Sequence, residues 1–377
     1  MSTLGEEEDF MSFDIIPSFS PEEISRSTFT RLLKCYPTTV REVYRDKLLS
    51  KYEGTRKKVK KSPEEPVVVP EKQVEKDLDA FLKLDEWRYE VLPGKMRERR
   101  EEGKKEGVFI EKEELVQLME WKLKHGVFRP TLLGLVKSNQ APLVRKTTSA
   151  AFAALPSAGD GDDAAFPKAS LDALTEPLRG VGPATASLIL CAGTGLSGSE
   201  IQVPFFSDEI YQWLCLDCYP SAEQDGEGKG DADSDDDDDD KEEERKKPPK
   251  KKNGELIIKY NMAEYKNVWD AVSAIRERLN RTAKPDSAVE DEKRIFSAVD
   301  VEKVAFVLGN IDLSGYFGEP KSREERRNAV RATTPPKGAQ KRKAEVSKEE
   351  KFRAKKRRIK AKHERREAKK KRTGRNN

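Results

Sequence analysis

LRGVGPATASLILCAGTGLSGSEIQVPFFSDE, residues 178–209, decides the fold. Gly180 and Gly182 stand one apolar residue apart, and Pro183 then opens an uncharged run from Ala184 to Leu190. That order predicts a tight turn feeding a buried helix. Glycine at 180 and 182 allows positive φ and close approach of a foreign surface, and Pro183 suits a first helical turn, where its missing N–H is no loss. The amides of Gly182, Ala184 and Thr185 are then expected to be unpaired helix-start donors, suited to one anion. At the far end of the stretch, Ser207 reads as a helix cap, with Asp208 and Glu209 in the first turn where they complement the helix dipole.

LRGVGPATASLIL resembles the second half of a helix-hairpin-helix, and its arrangement with the acidic residue downstream is similar to the helix-hairpin-helix DNA glycosylase superfamily. The resemblance implies that Gly180, Val181 and Gly182, with Ala184 and Thr185, hold a DNA phosphate. It also implies that Asp208, or its neighbour Glu209, supports cleavage of the bond between base and sugar. Bifunctional members carry a lysine two residues after the second glycine, where this chain has Ala184. The resemblance therefore implies a monofunctional enzyme without Schiff-base lyase chemistry. The residues alone leave another reading open, in which the hairpin is a packing turn and Ser207–Glu209 an ordinary cap.

At 377 residues with 38% charged and 35% hydrophobic, the chain is too polar to be globular throughout. A core of about 180–220 residues suffices for a stable interior, and the rest is expected to be tails and linkers. The net charge of +4 hides a strong asymmetry: residues 319–377 hold 25 Lys/Arg and 8 Asp/Glu, so everything before them is net acidic. No stretch resembles a signal peptide and no window has the apolar length of a membrane span, which predicts a soluble protein of a reducing compartment and no membrane partner. Among Cys35, Cys191, Cys215 and Cys218, the last two form a CxxC that suits a redox pair or half a metal site. No second CxxC exists, and the two histidines, His125 and His363, are remote in sequence. Buried thiols at a helix end is the preferred reading, and no metal or other cofactor is expected.

Taken in order, residues 1–20 have no sustained period and are expected to lack fixed structure. Residues 21–53 predict two short helices, the first opened by Ser20 and Pro21 and running to Lys34, the second carrying Val40, Val43, Tyr44, Leu48 and Leu49 on one side. They are either a satellite of the main domain or a partner-binding hairpin. Residues 54–73 read as a charged, proline-rich linker. Residues 74–220 form the expected helical core, with Trp87 and Tyr89 at its edge, a helix over 111–126 and the helix-hairpin-helix at 168–193. Lys122, Lys124, Arg129, Lys137, Arg145 and Lys146 are either solvated charge or a shared basic face toward DNA.

Residues 221–253, with DADSDDDDDDKEEE flipping to RKKPPKKK, predict a disordered insertion able to bind basic partners such as histones. Residues 254–315 resume helical periodicity through Tyr265, Val268, Trp269, Val272, Ile275 and Leu279, and end in a helix that Asp300 is expected to cap. The basic tail, 319–377, holds two clusters, Lys341–Arg342–Lys343 and Lys355–Lys356–Arg357–Arg358, that look like a bipartite nuclear import signal read by importin. The expected fold is all-α, a helical bundle with one helix-hairpin-helix. The expected function is nuclear or nucleolar nucleic-acid binding, to DNA or RNA, with a monofunctional base-excision activity if the chain is an enzyme. The alternative is a non-enzymatic chromatin or ribosome-assembly interaction protein using its acidic and basic arms.

Overall fold

Every residue from Ala184 to Ala192 is buried, which is the signature of a helix apolar on all sides and enclosed by others. In the computed structural model, which describes residues 17–59, 71–102, 107–126, 129–156, 166–194, 201–220, 257–285, 287–326 and 328, that helix is the axis of the main unit. The helices in chain order are α1 (Arg26–Lys34), α2 (Tyr36–Val59), α3 (Glu71–Glu86), α4 (Leu92–Glu101), α5 (Lys112–His125), α6 (Pro130–Lys137) and α7 (Ala141–Ala153). They continue as α8 (Lys168–Thr175), α9 (Pro183–Thr194), α10 (Asp208–Cys215), α11 (Met262–Arg281), α12 (Glu290–Lys293) and α13 (Ala298–Gly309). Among the described residues there is no strand, and no helix long and apolar enough to cross a membrane. The fold is all-α.

Helices α4, α5, α7, α8 and α11 pack around α9, so Leu188, Ile189 and Leu190 are fully enclosed. Truncating one of them to alanine would cost about 2–5 kcal/mol, the transfer term plus the cavity left behind. Outside this shell, α13 packs on α1, α2, α10 and α11 and is buried over most of its circumference. The N-terminal pair is therefore built into the core: Phe29, Leu32 and Tyr36 belong to the same cluster as Phe296 and Phe306. Leu48, Val74 and Leu78 form a small separate cluster between α2 and α3.

Several boundaries differ from the sequence expectations, each for a local reason. The first helix starts at Arg26 instead of Pro21, because the Ser25 hydroxyl accepts the Thr28 N–H, while Ser20 only closes the preceding turn. Phe19, expected in an unstructured lead, is buried, and its carbonyl accepts the Trp213 indole N–H at 2.8 Å. Helix α2 runs on to Val59 and α3 starts at Glu71, leaving less of the expected linker than its charge suggested. Ser297, not Asp300, caps α13, and Asp300 returns the bond as the third residue of a capping box. Cys218 is exposed and Cys215 half-buried, so the thiols at the end of α10 are not both buried as expected.

Between α3 and α4 a π-helical turn, Trp87–Val91, inserts one wide turn and swings Arg88 inward. Arg88 Nη2 meets Glu302 Oε2 at 3.0 Å, the Tyr89 hydroxyl donates to Glu302 Oε1 at 2.8 Å, and both charged side chains are about as buried as Leu190. Trp121 and Tyr36 donate to Asp85 beside this pair.

Residues from Lys321 onward form a second unit. Its described part is a helical turn in which Ser322 Oγ accepts the Glu325 N–H and the Glu325 carboxylate accepts the Ser322 N–H. The basic clusters at 341–343 and 355–358 that read as an import signal, the acidic insertion and residues 1–16 lie outside the described residues.

Candidate functional site

The turn between α8 and α9 takes the shape the glycine spacing asks for. Gly180 adopts φ +77°, and a Cβ there would lie 2.9 Å from Leu135 Cβ, so this glycine is required by the protein's own α6. Gly182 is exposed, and a Cβ there would meet nothing within 4 Å. Both glycines border the adjoining cavity, but only Gly182 is exposed with room for a Cβ. Asn139 holds the turn in place: its amide donates to the Arg179 and Val136 carbonyls and accepts the Arg179 N–H, each at 3.0 Å.

The donors expected at this turn divide. Thr185 does not offer a free amide, because its N–H donates to the Gly182 carbonyl at 2.9 Å as the first turn of α9 tightens. The Val181 N–H makes a long bond to the Leu178 carbonyl, and its side chain is buried. The N–H groups of Gly180, Gly182 and Ala184 have no partner among the described residues.

A cavity of about 190 Å³ opens beside this turn, bordered by Gly182, Ala184, Lys122, Arg129, Asp208 and Tyr260 among others. Its position follows from the chain. Residues 201–207 run extended along α9, where Ser187 Oγ accepts the Phe206 N–H and Thr194 Oγ1 accepts the Val203 N–H. This delivers Ser207, whose hydroxyl accepts the Ile210 N–H, and places Asp208 and Glu209 on the cavity wall. Asp208 therefore sits in a capped first turn and borders the cavity formed with the hairpin.

Three cationic groups surround that acid. Lys122 projects from α5 and donates to Thr185 Oγ1 at 2.9 Å. Burial, with Arg129 nearby, pulls its ammonium down to about 8 against the opposing pull of Asp208. The Arg129 guanidinium lies over the Tyr260 ring, 4.8 Å from its centroid. Lys47 reaches from α2 to the carbonyls that end α5, those of His125, Gly126 and Lys124, and lies close enough to Glu209 and Asp208 for their charges to act on it. Burial and the adjacent Asp208 push Glu209 up to about 7.

Trp121, Phe205 and Phe206 add aromatic surface to the walls, beside Leu123 and Leu132. His125 also borders the cavity, stacked between Trp121 and Phe306 at centroid distances of 4.6 and 4.2 Å. Its Nε2 is buried with no hydrogen-bond partner among the described residues, and burial holds its pKa well below the usual imidazole range. A buried polar atom left open at the edge of a cavity is a place for a ligand or water to bond.

The six cations read as a possible shared basic face divide among several places, and Lys146 is exposed on α7. Lys122 and Arg129 enter the cavity, Lys124 and Lys137 line a shallow groove elsewhere, and Arg145 pairs with Glu111. Sequence reading missed Tyr260 and His125 as cavity residues. Tyr260 precedes α11 by two positions, outside the apolar stripe that begins at Tyr265, and His125 reads as the helix end it also is. Among the described residues, no group of three His, Cys, Asp or Glu side chains is arranged to hold a metal ion. Comparison of the chain with known protein-family models, with curated proteins and with solved structures finds no match in any of the three.

Proposed function

We propose that this protein binds nucleic acid through the hairpin and receives one nucleotide unit of a DNA strand in the adjoining cavity, where Asp208 acts on the bond between base and sugar. What carries the reading is the convergence of open backbone N–H groups at Gly182 and Ala184 with Asp208 on a single cavity. Open amides at a helix start attract a phosphate, which fixes the strand without reading its sequence. The aromatic walls suit a planar ring turned out of the stack. Asp208 then faces the sugar and stabilises the positive charge that grows on it as the base departs. The Tyr260 hydroxyl, donating to Asp208 Oδ1 at 2.6 Å, fixes the carboxylate's direction.

In this reading the basic tail adds sequence-independent affinity that falls steeply with salt, and its two clusters direct nuclear import. The test is a screen of the full chain on duplexes carrying single damaged or mismatched bases, scored for binding and for base release. Asp208→Asn should abolish release while duplex binding persists. A wild-type protein that binds duplex yet releases no base from any substrate would leave the non-enzymatic interaction protein as the better account.

A further inference from the structure

His125 ends α5 one turn after Trp121 and Lys122, so all three border the cavity from one side of the same helix. Its ring is fixed between Trp121 and Phe306, with centroids 4.6 and 4.2 Å away, and cannot turn without breaking both contacts. The side chain is only 5% exposed, yet Nε2 has no hydrogen-bond partner among the described residues. Arg88 Nε, Ser170 Oγ and Arg278 Nε share that condition, but none of those three residues borders this cavity. A residue kept only to fill the space between two aromatic rings is better supplied by phenylalanine, which stacks as well and buries no polar atom. The nitrogen at this position calls for a partner from outside the chain.

Charge decides the kind of partner. Burial, with Lys47 and Arg88 nearby, keeps the imidazole neutral, so it exerts no pull on a phosphate. In the nucleic-acid reading the phosphate has its donors at Gly182 and Ala184, with Lys122 and Arg129 on the same cavity. A neutral imidazole carries one N–H and one lone pair, and each suits the uncharged amino, imide or carbonyl groups on the edge of a nucleobase. We infer that His125 is the specificity contact of the cavity: its Nε2 hydrogen-bonds the polar edge of the nucleobase received there, so the site takes a ring bearing hydrogen-bonding groups and rejects a ring of the same shape without them. This rests on the nucleic-acid reading above. Trp121 and Phe205 offer stacking surface that any base satisfies, so they admit rings without sorting them. A buried polar atom fixed in direction does sort them, because a ligand that cannot bond it leaves it unpaired.

The chain has two histidines, His125 and His363, so nitrogen-15 spectra of the full protein labelled in histidine and glycine contain two imidazoles, which His363→Gln assigns. Gly182→Ala assigns the Gly182 amide, an independent reporter of the hairpin. The probes are three single-stranded hexanucleotides: one with all four natural bases, one with aromatic rings of the same shape lacking hydrogen-bonding groups, and one with tetrahydrofuran in place of every nucleoside. All three should move the Gly182 amide, and the natural strand alone should move His125 Nε2 in the direction of hydrogen bonding. His125→Phe, which keeps the stack, should cut the preference for natural over apolar strand about tenfold while the Gly182 amide still responds. An Nε2 that responds equally to natural and apolar strands, or an unchanged preference in folded His125→Phe, overturns the inference. If the Gly182 amide moves with every strand and His125 with none, this inference alone fails. If neither moves, the nucleic-acid reading of the cavity fails and takes the inference with it.

Discussion

The Tyr260 hydroxyl donates to Asp208 Oδ1 at 2.6 Å, tying together residues 52 positions apart in the chain. Tyr260 is held for this bond at some cost: its φ of 56° lies in the left-handed region, which favours glycine. The Glu264 carboxylate sustains the conformation by accepting the N–H groups of Lys259 and Tyr260 at 2.9 and 2.7 Å. Tyr260→Phe should lower stability by about 1 kcal/mol through the lost bond, read as a shift in the urea midpoint. It should also weaken any base release, because the carboxylate is then free to rotate.

The two hairpin glycines should respond in opposite ways. Gly180→Ala places a Cβ against Leu135 at a positive φ and should destabilise by about 1–3 kcal/mol. Gly182→Ala meets nothing within the protein and should leave the urea midpoint unchanged. Its methyl group does project where a phosphate would sit, so duplex affinity should fall. Equal loss of stability in both variants would mean that the turn serves packing alone.

Glu209 gives the fold a pH signature. Burial and Asp208 raise it from 4.5 to about 7, so the folded protein holds this proton more tightly than the unfolded chain does. Its contribution to stability is therefore full below about pH 4.5 and is lost as pH rises through about 7. Asp85, raised from 3.8 to about 6 chiefly by burial, acts with the same sign over a lower window. His125 acts oppositely: its pKa is depressed below 6.5, so its contribution is full above that pH and is lost on acidification. Subtracting the unfolding free energies of Glu209→Gln from those of the wild type, point by point from pH 4.5 to 7.5, isolates the first of these. The difference should fall with rising pH, and a flat difference would refute the assignment.

Arg88 and Glu302 form a pair whose halves depend on each other. Arg88→Met leaves Glu302 buried without its counter-charge and should cost about 3–5 kcal/mol. Adding Glu302→Gln removes the orphaned charge and should restore a large part of that loss. Thermal unfolding of the two single variants and the double variant measures the coupling, which additive losses would disprove.

How much of this was legible in the sequence depended on the range over which each feature is fixed. The α11 stripe, Tyr265 through Leu279, is a local periodicity, and all six of its positions are buried as the spacing requires. The turn at Gly180 is equally local, since two glycines and a proline determine its course. The start of α1 differs because Ser20 and Pro21 read as a helix start, whereas it is the Ser25 hydroxyl that accepts the Thr28 N–H. The Arg88–Glu302 pair was invisible, because two charges 214 positions apart each read as solvated residues until the fold joins them. Lys122 was hidden for the same reason. Nothing in EWKLKH separates it from Lys124, which lies two positions on and is exposed.

Asp208 precedes and Tyr260 follows the 36 residues from 221 to 256, so the cavity wall is closed across a long connection. Closing a loop costs entropy only as the logarithm of its length, and doubling this one would cost about 0.6 kcal/mol. The connection can therefore lengthen, shorten or exchange its charges while the wall at either end keeps its geometry.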